Sequence, residues 1–314
     1  MMCAFSNYTF DVPDLKKIRL IINTDAKNEA DDQFAIVHAL LTPKFCIKGI
    51  IAAHFGTRRT EHSMQESYDE VLNVLSLMDV QNEIDVYGGA AEALKDEFTP
   101  QPSEGAELIV REAMADDPRP LYAIFLGPLT DMAAAYLTNP QIAGKVNVIW
   151  IGGGKWPAGG EEFNLSNDIH AVNVVYKSGL QLWQVPRNVY CTLRVSLAEL
   201  QDRIKPHGRI GEYLFRQMVD FNHLNADSPG WPLGESWCLG DSAAIGLLLD
   251  PHEYCYEWVA APYITKDMYY VHEQNNRLIR VYHTIDVRFI LEDFFSKMKL
   301  NFTTTPKTPL FPLF

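Results

Sequence analysis

One stretch, residues 18–36, constrains the fold of this chain more than any other. Residues 18–22 form a short apolar run with β-branched side chains, which is typical of a buried parallel strand. A helical run over residues 34–41 follows, and four carboxylates lie between the two. Turns that follow parallel strands meet at the carboxyl edge of the sheet, where ligands bind, so the stretch predicts an acidic site at that edge. The four carboxylates belong to Asp25, Glu29, Asp31 and Asp32.

Two interpretations of this acidic turn compete. Acidic residues in a first helical turn stabilise the helix by about 0.3–1 kcal/mol each, because they face the positive end of its dipole. Capping of this kind accounts for Asp31 and Asp32 but not for Asp25, which comes directly after the strand. Crowded carboxylates repel one another unless a cation lies among them, and Ca²⁺ takes several carboxylate and carbonyl oxygens. We therefore favour a metal site, completed by oxygen ligands from elsewhere in the chain.

Short apolar runs alternate with segments of helical periodicity along most of the chain. The predicted strands are residues 18–23, 47–53, 84–87, 121–126, 146–151 and 182–185. The predicted helices are residues 31–41, 61–77, 104–115, 169–177, 210–223, 241–249 and 287–299. This alternation predicts an α/β fold with an open, mostly parallel central sheet flanked by helices and a Rossmann-like core. No repeat, linker or composition shift divides the chain, so we expect one domain over residues 1–314.

Four blocks of the sequence together resemble the nucleoside hydrolases, the inosine–uridine-preferring family. The acidic turn resembles the family's Asp-x-Asp-x-x-x-Asp-Asp signature, and Gly127-Pro128-Leu129-Thr130-Asp131 resembles its Gly-Pro-Leu-Thr-Asn turn. Gly152-Gly153-Gly154, followed by Glu162-Phe163-Asn164 and Asp168, resembles its Gly-Gly…Glu-Phe-Asn…Asp segment. Asp241, which opens an Ala-rich helix, resembles its late metal-binding Asp. The blocks occur in the family's order and cover most of residues 17–300.

The resemblance implies Ca²⁺-dependent hydrolysis of the N-glycosidic bond of a ribonucleoside, in which a metal-bound water attacks C1′ and ribose and free base are released. By the same resemblance Asp25 is a metal ligand and the general base, and Asp31 binds both metal and ribose. The other implied metal ligands are Asp32, Asp241 and the backbone carbonyl of Leu126. Glu162 and Asn164 match residues that bind ribose hydroxyls. The chemistry is coherent, because a cation lowers the pKa of water and carboxylates stabilise an oxocarbenium-like transition state.

Each of these residues also has a plain structural interpretation. Glu162 and Asn164 are compatible with a simple turn, and Asp241 with a helix N-cap. Trp231 and Trp237 lie in a predicted loop, residues 224–238, where they either pack or stack on a substrate base. His54, in the loop after the second strand, is either structural or a substrate contact.

The chain departs from the family pattern at several positions. Asn23 replaces the first Asp of the signature, and residues 26–30 make the acidic turn two residues longer, bringing Lys27 and Glu29 near the metal. Gly240 replaces a His that protonates the leaving base in members that have it. Two alternatives therefore stay open: a metal-dependent hydrolase of another ribosyl or glycosyl compound, and a non-catalytic nucleoside- or sugar-binding relative.

Composition limits the partners. The net charge of −13 and a sequence pI near 5.1 argue against nucleic acid or anionic membranes as partners, since both select positive surfaces. No apolar stretch is long enough to span a membrane, and five cysteines without a CxxC pair favour a reducing, cytoplasmic location without a secretory signal. We expect a small-molecule ribonucleoside substrate and, from the resemblance, a homo-oligomer, either dimer or tetramer.

Overall fold

The structure is a computed structural model, and it describes residue 5 and residues 7–251, 255–273 and 276–302. Its strands are β1 (Ile18–Thr24), β2 (Phe45–Ala52), β3 (Val86–Gly88), β4 (Leu121–Phe125), β5 (Val146–Ile151), β6 (Gln181–Val185), β7 (Arg194–Ser196), β8 (Ser236–Cys238), β9 (Tyr256–Ala260), β10 (Tyr263–Ile264), β11 (Tyr270–Val271) and β12 (Leu278–Tyr282).

The α-helices of the same residues alternate with these strands over the first half of the chain. They are α1 (Asp32–Leu40), α2 (Ser63–Leu77), α3 (Glu104–Met114), α4 (Thr130–Thr138), α5 (Phe163–Asn167), α6 (Ile169–Lys177), α7 (Arg187–Tyr190), α8 (Leu197–Arg203), α9 (Gly208–Leu224), α10 (Ser242–Leu249) and α11 (Val287–Phe302). Short 3₁₀ turns cover Asp14–Lys16 and Pro140–Ile142. No helix of the described residues is long and apolar enough to cross a membrane.

The central sheet has eight strands in the order β3-β2-β1-β4-β5-β6-β12-β9. All neighbouring strands in it run parallel except β9, which is antiparallel to β12. Two small antiparallel pairs, β7–β8 and β10–β11, lie outside it. The predicted α/β fold with an open, mostly parallel sheet is therefore confirmed.

Strand β1 shows why this sheet forms. All of its residues are buried, and Leu20 and Ile22 pack into one hydrophobic core while Ile21 packs into a second core on the opposite face of the sheet. Helices cover both faces, so a central strand needs apolar side chains in both directions, which produces the continuous apolar run seen in the sequence. The polar end of β1 then leads directly into the acidic turn.

Most predicted elements match the observed ones to within about two residues, the usual disagreement at helix and strand ends. The predicted loop at residues 224–238 contains a strand that the sequence did not reveal, β8, which pairs with β7. The predicted helices also do not include α4, which begins at Thr130 directly after the Gly-Pro-Leu turn.

Candidate active site

A small cavity lies at the carboxyl edge of the sheet, where β1, β4 and β5 end. Its volume is about 50 Å³. All of the metal ligands and both of the ribose-binding residues implied by the resemblance line it, although they come from distant parts of the chain. The described residues that line this cavity are Asp25, Asn28, Glu29, Asp31, Asp32, Leu126, Ile151, Glu162, Phe163, Asn164, Tyr190, Gly240 and Asp241.

Three carboxylates form the centre of the site. Asp31, Asp32 and Asp241 each offer one carboxylate oxygen, and these oxygens lie within 4.8 Å of one another. Asp31 and Asp32 begin α1, and Asp241 precedes α10, which packs against α1. The amino ends of two helices therefore point at the cluster, and their dipoles offset part of its negative charge.

Burial acts strongly on these carboxylates. Loss of solvent, followed by the charge of the neighbouring carboxylates, raises the pKa of Asp25 and of Asp241 well above the ordinary value. Burial also raises the pKa of Asp32 to about 6, although Thr24 donates a hydrogen bond of 2.5 Å to its carboxylate. Such crowding is costly unless positive charge is supplied among the oxygens.

Two buried oxygens at the cavity lack a hydrogen-bond donor among the described residues. They are Oδ2 of Asp25 and the side-chain oxygen of Asn28. A Cβ at Gly127 would lie 2.7 Å from Oδ1 of Asp25, so only glycine lets the turn after β4 approach this carboxylate so closely. The donor set is oxygen throughout, without cysteine or histidine, and it fits a hard divalent cation such as Ca²⁺.

Glu162 and Asn164 organise the ends of β4 and β5. The Asn164 amide nitrogen donates to the backbone carbonyls of Leu126, at 2.6 Å, and Ile151, at 2.8 Å. Glu162 is the N-cap of α5, where its carboxylate accepts hydrogen bonds from the backbone nitrogens of Asn164 and Leu165. The capping interpretation of Glu162 therefore holds alongside its position on the cavity wall.

The longer acidic turn separates its two charged residues. Glu29 lines the cavity, where burial raises its pKa to about 7. Lys27 is not among the described residues that line the cavity, and its ammonium lies 3.1 Å from the Glu70 carboxylate on α2. The expectation that Lys27 lies near the metal is therefore wrong, because a buried carboxylate on α2 binds its side chain. The guanidinium of Arg59 fixes the turn by donating to the backbone carbonyl of Asn28.

Two residues that depart from the family pattern form a hydrogen-bonded pair. Asn23 stands where the family has Asp, and Asp131 stands where its Gly-Pro-Leu-Thr-Asn turn has Asn. In the structure the Asn23 amide nitrogen donates to Oδ2 of Asp131 at 2.9 Å. The other oxygen of Asp131 accepts from the Ala90 nitrogen and the Ser103 hydroxyl. The carboxylate and the amide have thus exchanged positions, which keeps one negative charge in this buried pair.

His54 lies in a buried hydrogen-bond chain and is not among the described residues that line the cavity. Its Nδ1 accepts from the Gly56 nitrogen at 3.2 Å, so Nε2 carries the proton and donates to the Thr130 hydroxyl at 2.8 Å. That hydroxyl donates in turn to the Asp168 carboxylate. Burial lowers the pKa of His54 to about 4, which keeps the ring neutral. Substrate contact by His54 stays a prediction, while this geometry gives it a structural role.

Trp231 and Trp237 form an aromatic cluster with Phe221 of α9. The two indole rings lie 5.1 Å apart, and each contacts the Phe221 ring at 5.2–5.5 Å. Trp237 is fully buried, and neither tryptophan belongs to the cavity lining in the described part of the chain. Base stacking by these residues stays a prediction, since both rings are engaged in packing.

Sequence reasoning missed Tyr190 and Asn28 as cavity residues. Asn28 is one of the inserted residues, whose direction no pattern reveals. Tyr190 follows β6 at the same carboxyl edge as the recognised motifs, and that position in a parallel sheet is the signal that could have identified it.

Comparisons with known proteins point to one family and one fold. A model of the family described as inosine-uridine preferring nucleoside hydrolase matches residues 20–292. A pyrimidine-specific ribonucleoside hydrolase, RihA of Photobacterium profundum, is 24% identical over an alignment of 258 residues that covers 74% of this chain and 80% of that protein. Among solved structures, the purine-preferring ribonucleoside hydrolase from Gardnerella vaginalis has a TM-score of 0.74 at 19% identity, covering 89% of this chain and 98% of that one. The type III effector XopQ, solved with adenosine diphosphate ribose, has a TM-score of 0.70 at 14% identity, covering 93% and 96%.

The structural role of His54 predicts a pH-dependent stability. Because its folded pKa of about 4 lies below the ordinary 6.5, the unfolded chain takes up the proton first as the pH falls through this window. Wild type should lose about 3 kcal/mol of unfolding free energy through this residue between pH 6.5 and 4, and His54→Gln should lose less. Urea unfolding at several pH values measures this. If His54→Gln instead raises KM tenfold and leaves the pH dependence of the unfolding free energy as in wild type, His54 contacts the substrate.

The exchanged pair predicts strong coupling between its two positions. Asn23→Asp alone places two buried carboxylates in contact and should lower the unfolding free energy by about 3 kcal/mol. Adding Asp131→Asn restores one carboxylate and one amide, so the double variant should recover at least half of that loss. A double-mutant cycle by urea denaturation measures the coupling, and simple additivity would contradict the exchange.

Proposed function

The chain belongs to the inosine-uridine preferring nucleoside hydrolase family, and on that premise we propose that it hydrolyses the N-glycosidic bond of a ribonucleoside with Ca²⁺ held by the carboxylate cluster. Ribose and a free base are the products. The observation that carries the proposal is the convergence of four buried aspartates and two further polar side chains on one cavity at the carboxyl edge of the sheet. The residues concerned are Asp25, Asp31, Asp32, Asp241, Glu162 and Asn164.

The proposed cation ligands are Asp25, Asp32, Asp241 and the backbone carbonyl of Leu126, with Asp31 shared between cation and ribose. The orphaned Oδ2 of Asp25 supports this assignment, because a buried anionic oxygen without a donor needs a cation or a proton beside it. When bound, the cation supplies Lewis acidity that lowers the pKa of a neighbouring water.

Asp25 is the proposed general base. Its carboxylate takes a proton from the attacking water as the water oxygen bonds to C1′ and the base departs with the electron pair of the N-glycosidic bond. Positive charge develops on the ribosyl ring in this step, and the buried carboxylates stabilise it because little solvent screens them. The retention of this whole set disfavours a non-catalytic binding protein, which has no use for a base.

The ribose-binding role rests on hydrogen-bond capacity. Both amide hydrogens of Asn164 already bind backbone carbonyls, so its Oδ1 is the atom left to accept from a ribose hydroxyl. The cavity of about 50 Å³ is far smaller than the roughly 300 Å³ of typical ligand pockets, so in this conformation it encloses only part of a nucleoside.

The alternative we retain is hydrolysis of another ribosyl or glycosyl compound by the same carboxylates. Glu29 favours it, because the longer turn adds an acidic side chain to the cavity wall that the family signature lacks. A reducing-sugar assay over a panel of ribonucleosides, extended to adenosine diphosphate ribose, separates the two. The cytoplasmic location and the dimeric or tetrameric state are further proposals, tested by cell fractionation and by light scattering.

The cation site predicts stabilisation by Ca²⁺. At a hundredfold excess over Kd, Ca²⁺ should stabilise wild type by about 2.7 kcal/mol, raising the Tm, whereas Asp241→Asn should show little response. Asp168→Asn is the matched control, since Asp168 is a buried carboxylate that binds Thr130 away from the cavity, and it should keep the Ca²⁺ response. Protein that purifies without metal and takes up no added Ca²⁺ would refute the cation site.

The ribose contacts predict discrimination against deoxyribosides. A site built to bond a hydroxyl rejects the analogue that lacks it by up to about 10⁴–10⁵ in kcat/KM. Asn164→Ala should reduce the ratio of kcat/KM for the ribonucleoside to kcat/KM for the deoxyriboside. Asn147→Ala, which removes a hydrogen-bonded amide at the start of β5, should leave that ratio unchanged. Equal kcat/KM for a ribonucleoside and all of its deoxy forms in wild type would contradict the ribose contacts.

A further inference from the structure

The Glu162 carboxylate has no acceptor position left for a substrate. Oε2 accepts from the Gly153 nitrogen at 2.8 Å and the Leu165 nitrogen at 2.9 Å. Oε1 accepts from the Asn164 nitrogen at 3.2 Å and the Tyr190 hydroxyl at 2.9 Å. An ionised carboxylate offers about four lone-pair sites, so these four donors fill it.

Only one of the four donors is a side chain. The nitrogens of Asn164 and Leu165 belong to the first turn of α5, and that of Gly153 belongs to the glycine turn after β5, so the backbone fixes all three. The fourth donor, the hydroxyl of Tyr190, belongs to a residue that lines the cavity. A ribose hydroxyl that approaches Glu162 therefore meets the Tyr190 hydroxyl on the acceptor atom it needs.

The position of Tyr190 is well defined. Its backbone nitrogen donates to the Pro186 carbonyl at 3.1 Å in α7, and its ring packs against Gly240. A Cβ at position 240 would lie 2.8 Å from Cδ2 of this ring, so the ring occupies the space that a larger residue would need. Burial, followed by the charge of Glu162, raises the pKa of Tyr190 well above its ordinary value, so the hydroxyl keeps its proton and donates.

We propose that the Tyr190 hydroxyl accepts a hydrogen bond from a ribose hydroxyl while it donates its own proton to Glu162, so that the pair reads the sugar. This inference rests on the proposed ribonucleoside hydrolysis and deepens it. A hydroxyl has one donor and two acceptor lone pairs, and no described residue donates to this oxygen. Its bond to a carboxylate polarises the oxygen and strengthens it as an acceptor.

A competing role for Tyr190 makes the opposite prediction. If the hydroxyl only covers Glu162 until ribose displaces it, removing the hydroxyl frees an acceptor and tightens substrate binding. If the hydroxyl contacts ribose, its removal weakens recognition of one particular ribose hydroxyl. The sign of the effect of Tyr190→Phe distinguishes the two.

The test compares kcat/KM for a ribonucleoside and for its 2′-, 3′- and 5′-deoxy analogues in wild type and Tyr190→Phe. We expect the variant to lose about 10–100-fold on the parent nucleoside and little on one analogue, so that discrimination at that hydroxyl collapses. Tyr213→Phe is the matched control, because the Tyr213 hydroxyl also donates to a buried glutamate, Glu70, which is not among the cavity residues. In Tyr213→Phe, the ratios of kcat/KM for the parent nucleoside to kcat/KM for each of the three deoxy analogues should equal those of wild type.

Gly240→Ala provides a second variant, because its Cβ displaces the Tyr190 ring without removing the hydroxyl. It should lower the same discrimination ratio as Tyr190→Phe, with calcium titration calorimetry reporting that the cation site is intact. Active wild type with unchanged ratios in Tyr190→Phe, or with tighter substrate binding in that variant, overturns this inference alone. Wild type that cleaves no ribonucleoside overturns the proposed function and this inference together.

Discussion

The mutual repulsion of buried carboxylates is the constraint on which the rest of this site depends. Folding brings Asp241 into one cavity with Asp25 and Asp32, which lie more than 200 residues earlier, and loss of solvent raises the pKa of each. Such an arrangement persists only because other parts of the fold offset it. The amino ends of α1 and α10 point at the cluster, and a cation among the oxygens would remove most of the remaining cost.

Around this cluster, hydrogen bonds hold several of the polar groups at the strand ends. Asn164 ties the carbonyls that end β4 and β5, and the Glu162 carboxylate carries its full set of donors. At the cavity itself, Oδ2 of Asp25 and the side-chain oxygen of Asn28 are buried without a donor in the part of the chain that is described. Because these two residues line the cavity, a bound cation or substrate would supply the contacts that their oxygens lack.

Contacts elsewhere in the fold compensate for two of the departures from the family pattern. Asn23 and Asp131 exchange an amide and a carboxylate across one hydrogen bond, which preserves the local charge. The small residue Gly240 leaves room for the Tyr190 ring, which brings a hydroxyl to the cavity. A packed interior constrains the total volume and the total charge of two residues in contact. Each residue can therefore change if its partner changes in the opposite sense.

The sequence by itself determined most of the alternating strands and helices, the parallel sheet and the residues of the acidic cluster. Those features depend on local periodicity and on the rule that strand ends converge at one edge, and both can be read along the chain. Only the tertiary structure decided which way individual side chains point. His54 binds Thr130, Lys27 binds Glu70, the two tryptophans pack on Phe221, and Tyr190 binds Glu162. Each of these outcomes is set by a partner distant in sequence, whose position exists only once the core has packed.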